Sequence, residues 1–428
     1  MATTSWNKRL SETMNRLSGG RADNVERTYR QPDFADLPLA KSKRQWEQVG
    51  AMLGVKSPFF NTIEGADGNF VTINGESKLN FAWCDYLGLN QHPALTKAMK
   101  DAIDTYGPCT SASRMVSGET PLHHELEREI ADFLGVEDAV LFVSGHAANV
   151  SCIGTVMTED DLIIHDEFVH NSAVIGMRLS RATTISFKHN NFDQLEQIMR
   201  RERHKHRNCL VIIEGLYSTE GDLTDLPRAV EIKEKFGSWL MVDDAHGLGV
   251  LGRNGRGIAE HAGIDASKVD IWMGTLSKTL AACGGYIAGN RALIDVLKHT
   301  APGFVYSVSL LPAMTAAALA SIRVIRSEPE RVERLHSHGR LFLDLARERK
   351  LNTGISSGYG MLPVIAGDVL KAIKLWHAVF ARGINPSVIV YPGVPMKAGR
   401  LRFFLNAAHT EDQVRQAVEV TAEELARI

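Results

Sequence analysis

The sequence has 428 residues, of which 44% are hydrophobic and 23% are charged, and its formal net charge is -2. This composition is that of a soluble globular protein large enough for two domains, with no electrostatic reason to expect a nucleic-acid partner, and the five cysteines lack the CxxC spacing of a disulfide framework or metal site. The N-terminus has no apolar signal-peptide core, and no apolar run approaches the roughly 20 residues of a membrane span, so we expect a cytoplasmic protein.

Residues 1–60 are predicted to form an N-terminal helical extension. Apolar residues repeat at helical spacing from Trp6 to Leu17, and a second helix is expected after Pro38. These helices could dock on a partner subunit, an acyl carrier protein or a membrane surface, and dimer packing is at least as good an explanation. Residues 69–83 are predicted to form a β-hairpin with Asn-Gly at its turn.

Residues 61–305 are predicted to form a large α/β domain. Short apolar runs alternate there with amphipathic helical stretches such as PLHHELEREIADFLG, which is the pattern of crossover units on a mainly parallel sheet. The runs that we expect to be buried strands are AVLFV (139–143), LIIH (162–165), TTISF (183–187), CLVIIEG (209–215), WLMVDD (239–244) and VDIWM (269–273).

Residues 306–428 are predicted to form a smaller C-terminal α+β domain. Long helices are expected in SLLPAMTAAALASIRVIR and EPERVERLHSHGRLFLDLARER, and short strands in MLPVIAG and LRFFLNA. A last helix is expected from Thr410.

Polar residues follow five of the six apolar runs of the large domain. Because ligands of open α/β sheets bind at the carboxyl ends of the strands, we expect these residues to share one pocket. Each motif is weak alone, since a lone aspartate or histidine at a strand end is more often structural. The groups, in chain order, are SGHAAN (144–149), His170, Tyr217 with Ser218, Asp243 with Asp244 and His246, and Thr275 with Ser277 and Lys278.

Pyridoxal 5'-phosphate accounts for all of these groups together. Its aldehyde needs a desolvated lysine amine such as Lys278, and its ring nitrogen stays protonated beside a buried carboxylate such as Asp243. His246 can donate to its phenolic oxygen, and His170 offers a flat ring to stack on its face. Its phosphate suits a helix N-terminus with nearby hydroxyls, which we assign to Gly145, His146, Thr275 and Ser277.

The motifs VDDAHGLGVLGRNGRG, EGLYSTEGD and GTLSKT…GGYIAG occur in an order that resembles the α-oxoamine synthases. The resemblance covers roughly residues 60–425 and implies the fold of fold-type-I pyridoxal-phosphate transferases, with a mainly parallel seven-stranded sheet. It also implies that Lys278 is the Schiff-base lysine that moves the Cα proton, that Asp243 pairs with the pyridinium, and that His246 and His170 contact the cofactor.

Further site residues follow from the same resemblance. Ser218 is expected near the cofactor oxygen and Thr275 near the phosphate, and Arg402, in GRLRFFLNAAHT, is expected to bind the substrate carboxylate. Family members are homodimers with the active site at the subunit interface, so Ser307 is expected to serve the phosphate of the partner's site.

Three segments depart from the commonest family pattern. Asp85 stands beside Tyr86 where relatives usually carry asparagine, TSASR (110–114) replaces a glycine-rich SGGSR, and His146 replaces an aromatic residue. We expect Asp85 and Ser113 to contact the substrate in a tighter amino-acid pocket. For His146 the simplest reading is that only its backbone N–H matters.

The resemblance implies a decarboxylative condensation of an amino acid with an acyl thioester, giving an α-amino ketone. VSGHAANVSCIG and APGFVYSVSLLP resemble bacterial serine palmitoyltransferases, which favours serine, a long acyl chain carried by CoA or acyl carrier protein, and a product such as 3-ketodihydrosphingosine. VDDAHGLGVLG and GRGIAEHAG equally resemble 8-amino-7-oxononanoate synthases, so that activity, or another synthase using alanine or glycine, is the alternative.

Other classes of function fit less well. An aminotransferase or lyase of this fold would need the same lysine and aspartate but usually lacks the D-x-A-H and Y-S-x-x-G-D pair. A non-catalytic subunit would typically have lost Lys278. A nucleotide-binding module is disfavoured because no GxGxxG or P-loop follows an early strand.

Overall fold

The computed structural model describes residues 31–52 and 56–428. The chain divides into two compact units, one ending at Ser57 and the other spanning Pro58–Ile428. The helix predicted after Pro38 is present, whereas the one predicted at Trp6–Leu17 lies outside the described residues. Within the described ranges, no helix combines the length and apolar character needed to cross a membrane.

Helices and strands alternate along most of the second unit. The strands are β1 (Gly65–Asp67), β2 (Phe70–Ile73), β3 (Glu76–Phe81), β4 (Asp138–Phe142), β5 (Leu162–Asp166), β6 (Thr183–Phe187), β7 (Cys209–Glu214), β8 (Trp239–Asp243), β9 (Ile271–Thr275), β10 (Gly285–Gly289), β11 (Met361–Gly367), β12 (Ile384–Ile389) and β13 (Gly399–Phe404). The helices of the described residues are α1 (Pro38–Met52), which belongs to the first unit, α2 (Pro93–Tyr106), α3 (Pro121–Leu134), α4 (Gly145–Val156), α5 (Asn171–Ser180), α6 (Phe192–Glu202), α7 (Leu226–Phe236), α8 (Ile258–Ala262), α9 (Arg291–Thr300), α10 (Pro302–Val305), α11 (Pro312–Ser327), α12 (Glu330–Glu348), α13 (Val369–Ala381) and α14 (Glu411–Leu425).

A seven-stranded sheet forms the centre of the fold, in the order β4-β10-β9-β8-β7-β5-β6. Only β10 opposes its neighbours β4 and β9, so the predicted mainly parallel sheet is confirmed. Alternate side chains of one strand enter two different cores: Val211 and Ile213 pack into one, and Leu210 and Ile212 into the other. Burial on both faces explains why these strands are continuous apolar runs.

Six of these strands agree with the runs identified in the sequence, within two residues at either end. Strand β10 was not predicted because its sequence, GYIAG, is short and rich in glycine. It pairs antiparallel between β4 and β9, where Gly285 approaches Gly145 so closely that a Cβ would lie 2.5 Å from the Gly145 Cα. A side chain at Gly285 would therefore separate β10 from the first turn of α4.

A six-stranded sheet, in the order β1-β2-β3-β12-β13-β11, joins both ends of the second unit. The predicted hairpin is confirmed: β2 and β3 are joined at Asn74 and Gly75, whose φ angles of 53° and 73° are those of a type I′ turn. Strand β3 pairs in parallel with β12, which brings the segment after Phe81 close to β13. The predicted domain boundaries at residues 60 and 305 stay a prediction.

The C-terminal elements expected from the sequence are also present. Helices α11 and α12 cover the two predicted long helices, and β11 and β13 the two predicted short strands. Thr410 caps α14, with its hydroxyl accepting from the Gln413 N–H and the Gln413 side chain accepting from the Thr410 N–H. This reciprocal pair fixes where the last helix begins.

Candidate active site

Lys278 lies in the turn after β9, at the carboxyl edge of the larger sheet. Its side chain is half-buried. Burial lowers the pKa of the Lys278 amine, and the neighbouring Cys84, Asp243 and Glu214 partly oppose that effect. A lowered pKa makes the neutral, nucleophilic amine more accessible near neutral pH, as covalent catalysis by lysine requires.

Asp243 ends β8 and is buried. Its Oδ2 accepts from the Asn149 Nδ2 at 2.8 Å, and its Oδ1 accepts from the Ala245 N–H at 3.1 Å. Asn149 also donates to the Ser172 hydroxyl at 2.9 Å, and that hydroxyl lies 2.6 Å from the Nδ1 of His170. This chain of hydrogen bonds holds the aspartate and the predicted stacking histidine in one network, although they come from different strand ends.

His246 is buried three residues after Asp243, with its Nδ1 2.7 Å from the Tyr86 hydroxyl. Burial, together with the positive charges of Lys278 and Arg402, lowers the pKa of His246 well below its usual range, so the ring is neutral. Burial also raises the pKa of Tyr86, which keeps the phenol protonated as a donor to Nδ1. In this tautomer Nε2 carries the hydrogen and can donate to a ligand.

Arg402 lies on β13 with its guanidinium over the Phe404 ring, 4.9 Å from the ring centroid. Its Nη1 donates to the Ser218 carbonyl oxygen at 2.8 Å, whereas its buried Nε has no hydrogen-bond partner among the described residues. A buried donor left unpaired is costly, so this nitrogen suits an anionic ligand group. The contact of Ser218 with Arg402 is therefore made by its backbone carbonyl oxygen.

The first turn of α4 adjoins the hydroxyl groups after β9. A Cβ on Gly145 would lie 3.2 Å from the Thr275 hydroxyl, and that hydroxyl is 2.8 Å from the Ser277 hydroxyl. The exposed His146 side chain follows in the same turn of the helix. Free N–H groups at a helix start, with two hydroxyls beside them, form a cradle for a phosphate.

The remaining predicted site residues are Asp85, Ser113 and Ser307, and they also have no hydrogen bond to these groups in the described part of the chain. Asp85 uses both carboxylate oxygens locally, accepting from the Leu89 N–H at 2.8 Å and the Asn90 N–H at 3.0 Å. Ser113 precedes the turn Arg114–Gly118, and its carbonyl accepts the backbone N–H groups of that turn. Ser307 is half-buried in the loop after α10. Their roles toward substrate and phosphate stay predictions.

Sequence reasoning missed Asn149, Glu214 and the partnership of Tyr86. Asn149 lies one helical turn after Gly145, so the i, i+4 rule would have placed it on the same face as the helix start. Glu214 ends β7 directly beside Asp243 in the parallel register. Burial and the charge of Asp243 raise the pKa of Glu214 well above its usual range.

The residues present fit pyridoxal phosphate. The site combines a lysine with a lowered pKa, a buried aspartate, a neutral histidine whose Nε2–H can donate, and a phosphate cradle at the start of α4 where Gly145 leaves room beside the Thr275 hydroxyl. The Nε of Arg402, unpaired among the described residues, adds a donor for an anionic ligand group. No simpler ligand would use a lysine amine, a ring-nitrogen partner and a phosphate cradle at once.

Comparison with known proteins agrees with this geometry. Residues 76–420 match the family model described as aminotransferase class I and II. The chain is 37% identical over 358 residues to the 8-amino-7-oxononanoate synthase of Alkaliphilus metalliredigens, which covers 84% of this chain and 90% of that protein.

Two solved structures resemble the fold closely. The serine palmitoyltransferase of Sphingomonas wittichii matches with a TM-score of 0.87 at 29% identity, covering 92% of this chain and 98% of that one. A serine palmitoyltransferase structure described with pyridoxal phosphate matches with a TM-score of 0.88 at 26% identity, and the match covers 93% of this chain and 100% of that one. The chain therefore belongs to the α-oxoamine synthases, pyridoxal-phosphate-dependent acyltransferases of the class I and II aminotransferase family.

Proposed function

We propose that this enzyme condenses alanine with an acyl thioester to give an α-amino ketone, the reaction type of 8-amino-7-oxononanoate synthesis. The Cα–H bond of the amino acid breaks, a bond forms between Cα and the acyl carbon, and the thiol leaves. The Cα–carboxylate bond then breaks, CO2 leaves, and a proton returns to Cα. The observation that carries the proposal is the unpaired, buried Nε of Arg402 beside a lysine of lowered pKa, because it offers a carboxylate site next to a base.

The chain's own groups have distinct tasks in this reaction. Pyridoxal phosphate, when bound, supplies the electron sink that stabilises negative charge at Cα. Lys278 Nζ takes the Cα proton and returns a proton to Cα after CO2 has left. Asp243, whose carboxylate is oriented by Asn149, would pair with the ring nitrogen of the bound cofactor. His246 Nε2–H is directed by the Tyr86 hydroxyl on the other side of the ring. Arg402 orients the substrate carboxylate with its planar fork.

Alanine is favoured over serine by the relative of higher identity. The protein named 8-amino-7-oxononanoate synthase is 37% identical, whereas the two structures named serine palmitoyltransferase are 29% and 26% identical. The serine palmitoyltransferase activity expected from short sequence phrases is therefore the second candidate, supported by the TM-scores of 0.87 and 0.88. Glycine is the third amino acid to test.

The same proposal includes a homodimer in the cytoplasm that accepts the acyl group from CoA or an acyl carrier protein. Contact of the first 60 residues with a membrane surface is expected only if the enzyme is a serine palmitoyltransferase, because the long acyl chain of that reaction partitions into membranes. Mass photometry with and without residues 1–50 tests the dimer. Acyl-donor kinetics of the same truncated protein test any docking by this segment, which unchanged constants would exclude.

The proposed reaction is tested by product balance. Cofactor-loaded protein is incubated with carboxyl-labelled alanine, serine or glycine and with acyl-CoA donors of short, medium and long chain, and CO2 and free thiol are counted. We expect equal amounts of both products, formed fastest with alanine, and none with Lys278→Ala. The exposed Lys268→Ala is the matched control. Fastest turnover of serine would favour the second candidate, and thiol release without CO2 would refute the condensation.

A further inference from the structure

His189, outside the active site, is held between two carboxylates. Its Nδ1 lies 3.1 Å from Asp166 Oδ1, its Nε2 lies 2.9 Å from Asp222 Oδ2, and its side chain is 11% exposed. The ring stacks on Phe168 at 4.6 Å and meets the Tyr217 ring edge-on at 4.4 Å. Because each ring nitrogen faces a carboxylate oxygen, both nitrogens donate and the imidazole is a cation.

The pKa of this histidine agrees with the geometry. Burial lowers it, but the hydrogen bonds and charges of Asp166 and Asp222 raise it to about 10. His189 is therefore a fixed positive charge near neutral pH.

The Asp166 contact fixes the segment 166–170, which we call the His170 turn. Asp166 ends β5, and its Oδ1 accepts from the Phe168 N–H at 2.8 Å. Its Oδ2 accepts from the Asn190 N–H at 2.8 Å, next to His189. The turn ends at His170, the residue before α5 and the predicted partner of the cofactor ring.

The Asp222 contact fixes the segment 216–223, which we call the Ser218 turn. Its ends pair at Leu216 and Leu223, and the Asp222 carbonyl accepts from the Tyr217 N–H at 3.0 Å. Asn190 reinforces this side by donating from Nδ2 to Asp222 Oδ2 at 2.8 Å. Ser218, which follows Tyr217 in this turn, has the carbonyl oxygen that accepts the hydrogen bond from Arg402 Nη1.

We propose that His189 is a positioning residue that ties the His170 turn to the Ser218 turn, and so aligns the cofactor-facing and carboxylate-facing halves of the site. It touches no reacting atom and acts through Asp166 on one side and Asp222 on the other. This role rests on the proposed function, because it assigns the His170 turn to the cofactor and the Ser218 turn, through Arg402, to the amino-acid carboxylate.

Two substitutions separate the two contacts. In His189→Asn the side-chain amide takes the place of Nδ1, so it keeps the donor to Asp166 and loses the one to Asp222. In His189→Gln the amide reaches the place of Nε2, so it keeps the donor to Asp222 and loses the one to Asp166. The exposed His204→Asn is the matched control.

Each contact is read out separately. Cofactor affinity is measured by absorbance titration, and amino-acid affinity by the spectral change of the loaded protein. Hydrogen exchange of the cofactor-free protein is followed in the peptides covering the His170 turn and the Ser218 turn. We expect H189N to weaken amino-acid binding about tenfold and to speed exchange in the Ser218 turn, with cofactor affinity unchanged. We expect H189Q to weaken cofactor binding about tenfold and to speed exchange in the His170 turn.

The proposal is overturned if both variants change both affinities equally and in proportion to their loss of thermal stability, or if neither variant differs from H204N. Should both His189 variants fail to fold, Asp222→Asn tests the same link from the other side, with weaker amino-acid binding and unchanged cofactor affinity as the expected result and equal changes as the refuting one. Failure of the proposed function is distinct: the unsubstituted protein would then release no CO2, while hydrogen exchange still reports on the two turns.

Discussion

Arg402→Lys is the substitution that tests the carboxylate site most directly. The lysine keeps a positive charge on β13, but it removes the planar fork and with it the buried Nε that has no partner in the described protein. It also shortens the group that donates to the Ser218 carbonyl at 2.8 Å. The change therefore affects the number and direction of donors more than the charge.

The magnitude follows from the donor that is lost. One charge-assisted hydrogen bond contributes about 1.5–3 kcal/mol. Because about 1.36 kcal/mol corresponds to a factor of ten, we expect the dissociation constant of the amino acid to rise about 13- to 160-fold. Because the lysine keeps the positive charge that acts on His246 and Lys278, the affinity for pyridoxal phosphate should stay the same.

Arg400→Lys is the matched control on the same strand. Its Nε donates to the Ala398 carbonyl at 3.0 Å, and its Nη1 donates to the Thr219 carbonyl at 3.0 Å and pairs with Glu220 at 2.7 Å, so these donors are already used within the protein. Because the lysine keeps the ion pair with Glu220, which holds the Ser218 turn, we expect this variant to lose some thermal stability while it binds the amino acid within about threefold of the unsubstituted protein.

The assay is a spectral titration of cofactor-loaded protein with alanine, repeated with an amine that lacks the carboxylate. The amine should bind R402K and the unsubstituted protein equally. If R402K binds alanine within twofold of the unsubstituted protein, the carboxylate lies elsewhere in the site and the reasoning from the unpaired Nε is wrong.

Three further predictions concern other parts of the site. Tyr86→Phe removes the hydroxyl that lies 2.7 Å from His246 Nδ1. Because a hydrogen bond contributes a net of about 0.5–1.5 kcal/mol, we expect kcat/KM to fall about 2- to 13-fold in steady-state assays, with cofactor loading unchanged. An unchanged kcat/KM would contradict the tautomer in which His246 Nε2 carries the hydrogen. Gly145→Ala places a methyl group 3.2 Å from the Thr275 hydroxyl of the phosphate cradle, so equilibrium dialysis should show weaker cofactor binding. The control Gly65→Ala has open space around it and should bind the cofactor normally. If both variants bind the cofactor equally well, the phosphate does not lie in this cradle. The pKa of His189 rises from 6.5 to about 10 on folding, so the stabilisation by its charge is complete below about pH 6.5 and is lost as pH rises toward 10. The unfolding free energy from denaturant titration should therefore fall over that pH range, and it should fall less in H189Q. An equal fall in both proteins would contradict the charged contacts of His189 with Asp166 and Asp222.

The sequence by itself determined the strands of the larger sheet and the residues that follow them. Runs such as CLVIIE and WLMVD are recognisable because strands buried on both faces are continuously apolar, and polar residues right after them must lie at one edge of a parallel sheet. Lys278, Asp243 and His246 could therefore be assigned before any contact was known. The motif order then restricted the chemistry to one cofactor.

Only the tertiary structure decided which partners complete these residues. Tyr86 reaches His246 across 160 positions of sequence, Asn149 reaches Asp243 across 94, and Arg402 reaches the Ser218 carbonyl across 184. Periodicity reports only which face of an element is buried, whereas a hydrogen-bond partner depends on how distant elements pack. The parallel pairing of β3 with β12, invisible in either segment, brings the Tyr86 segment beside the strand that carries Arg402 and so completes the site.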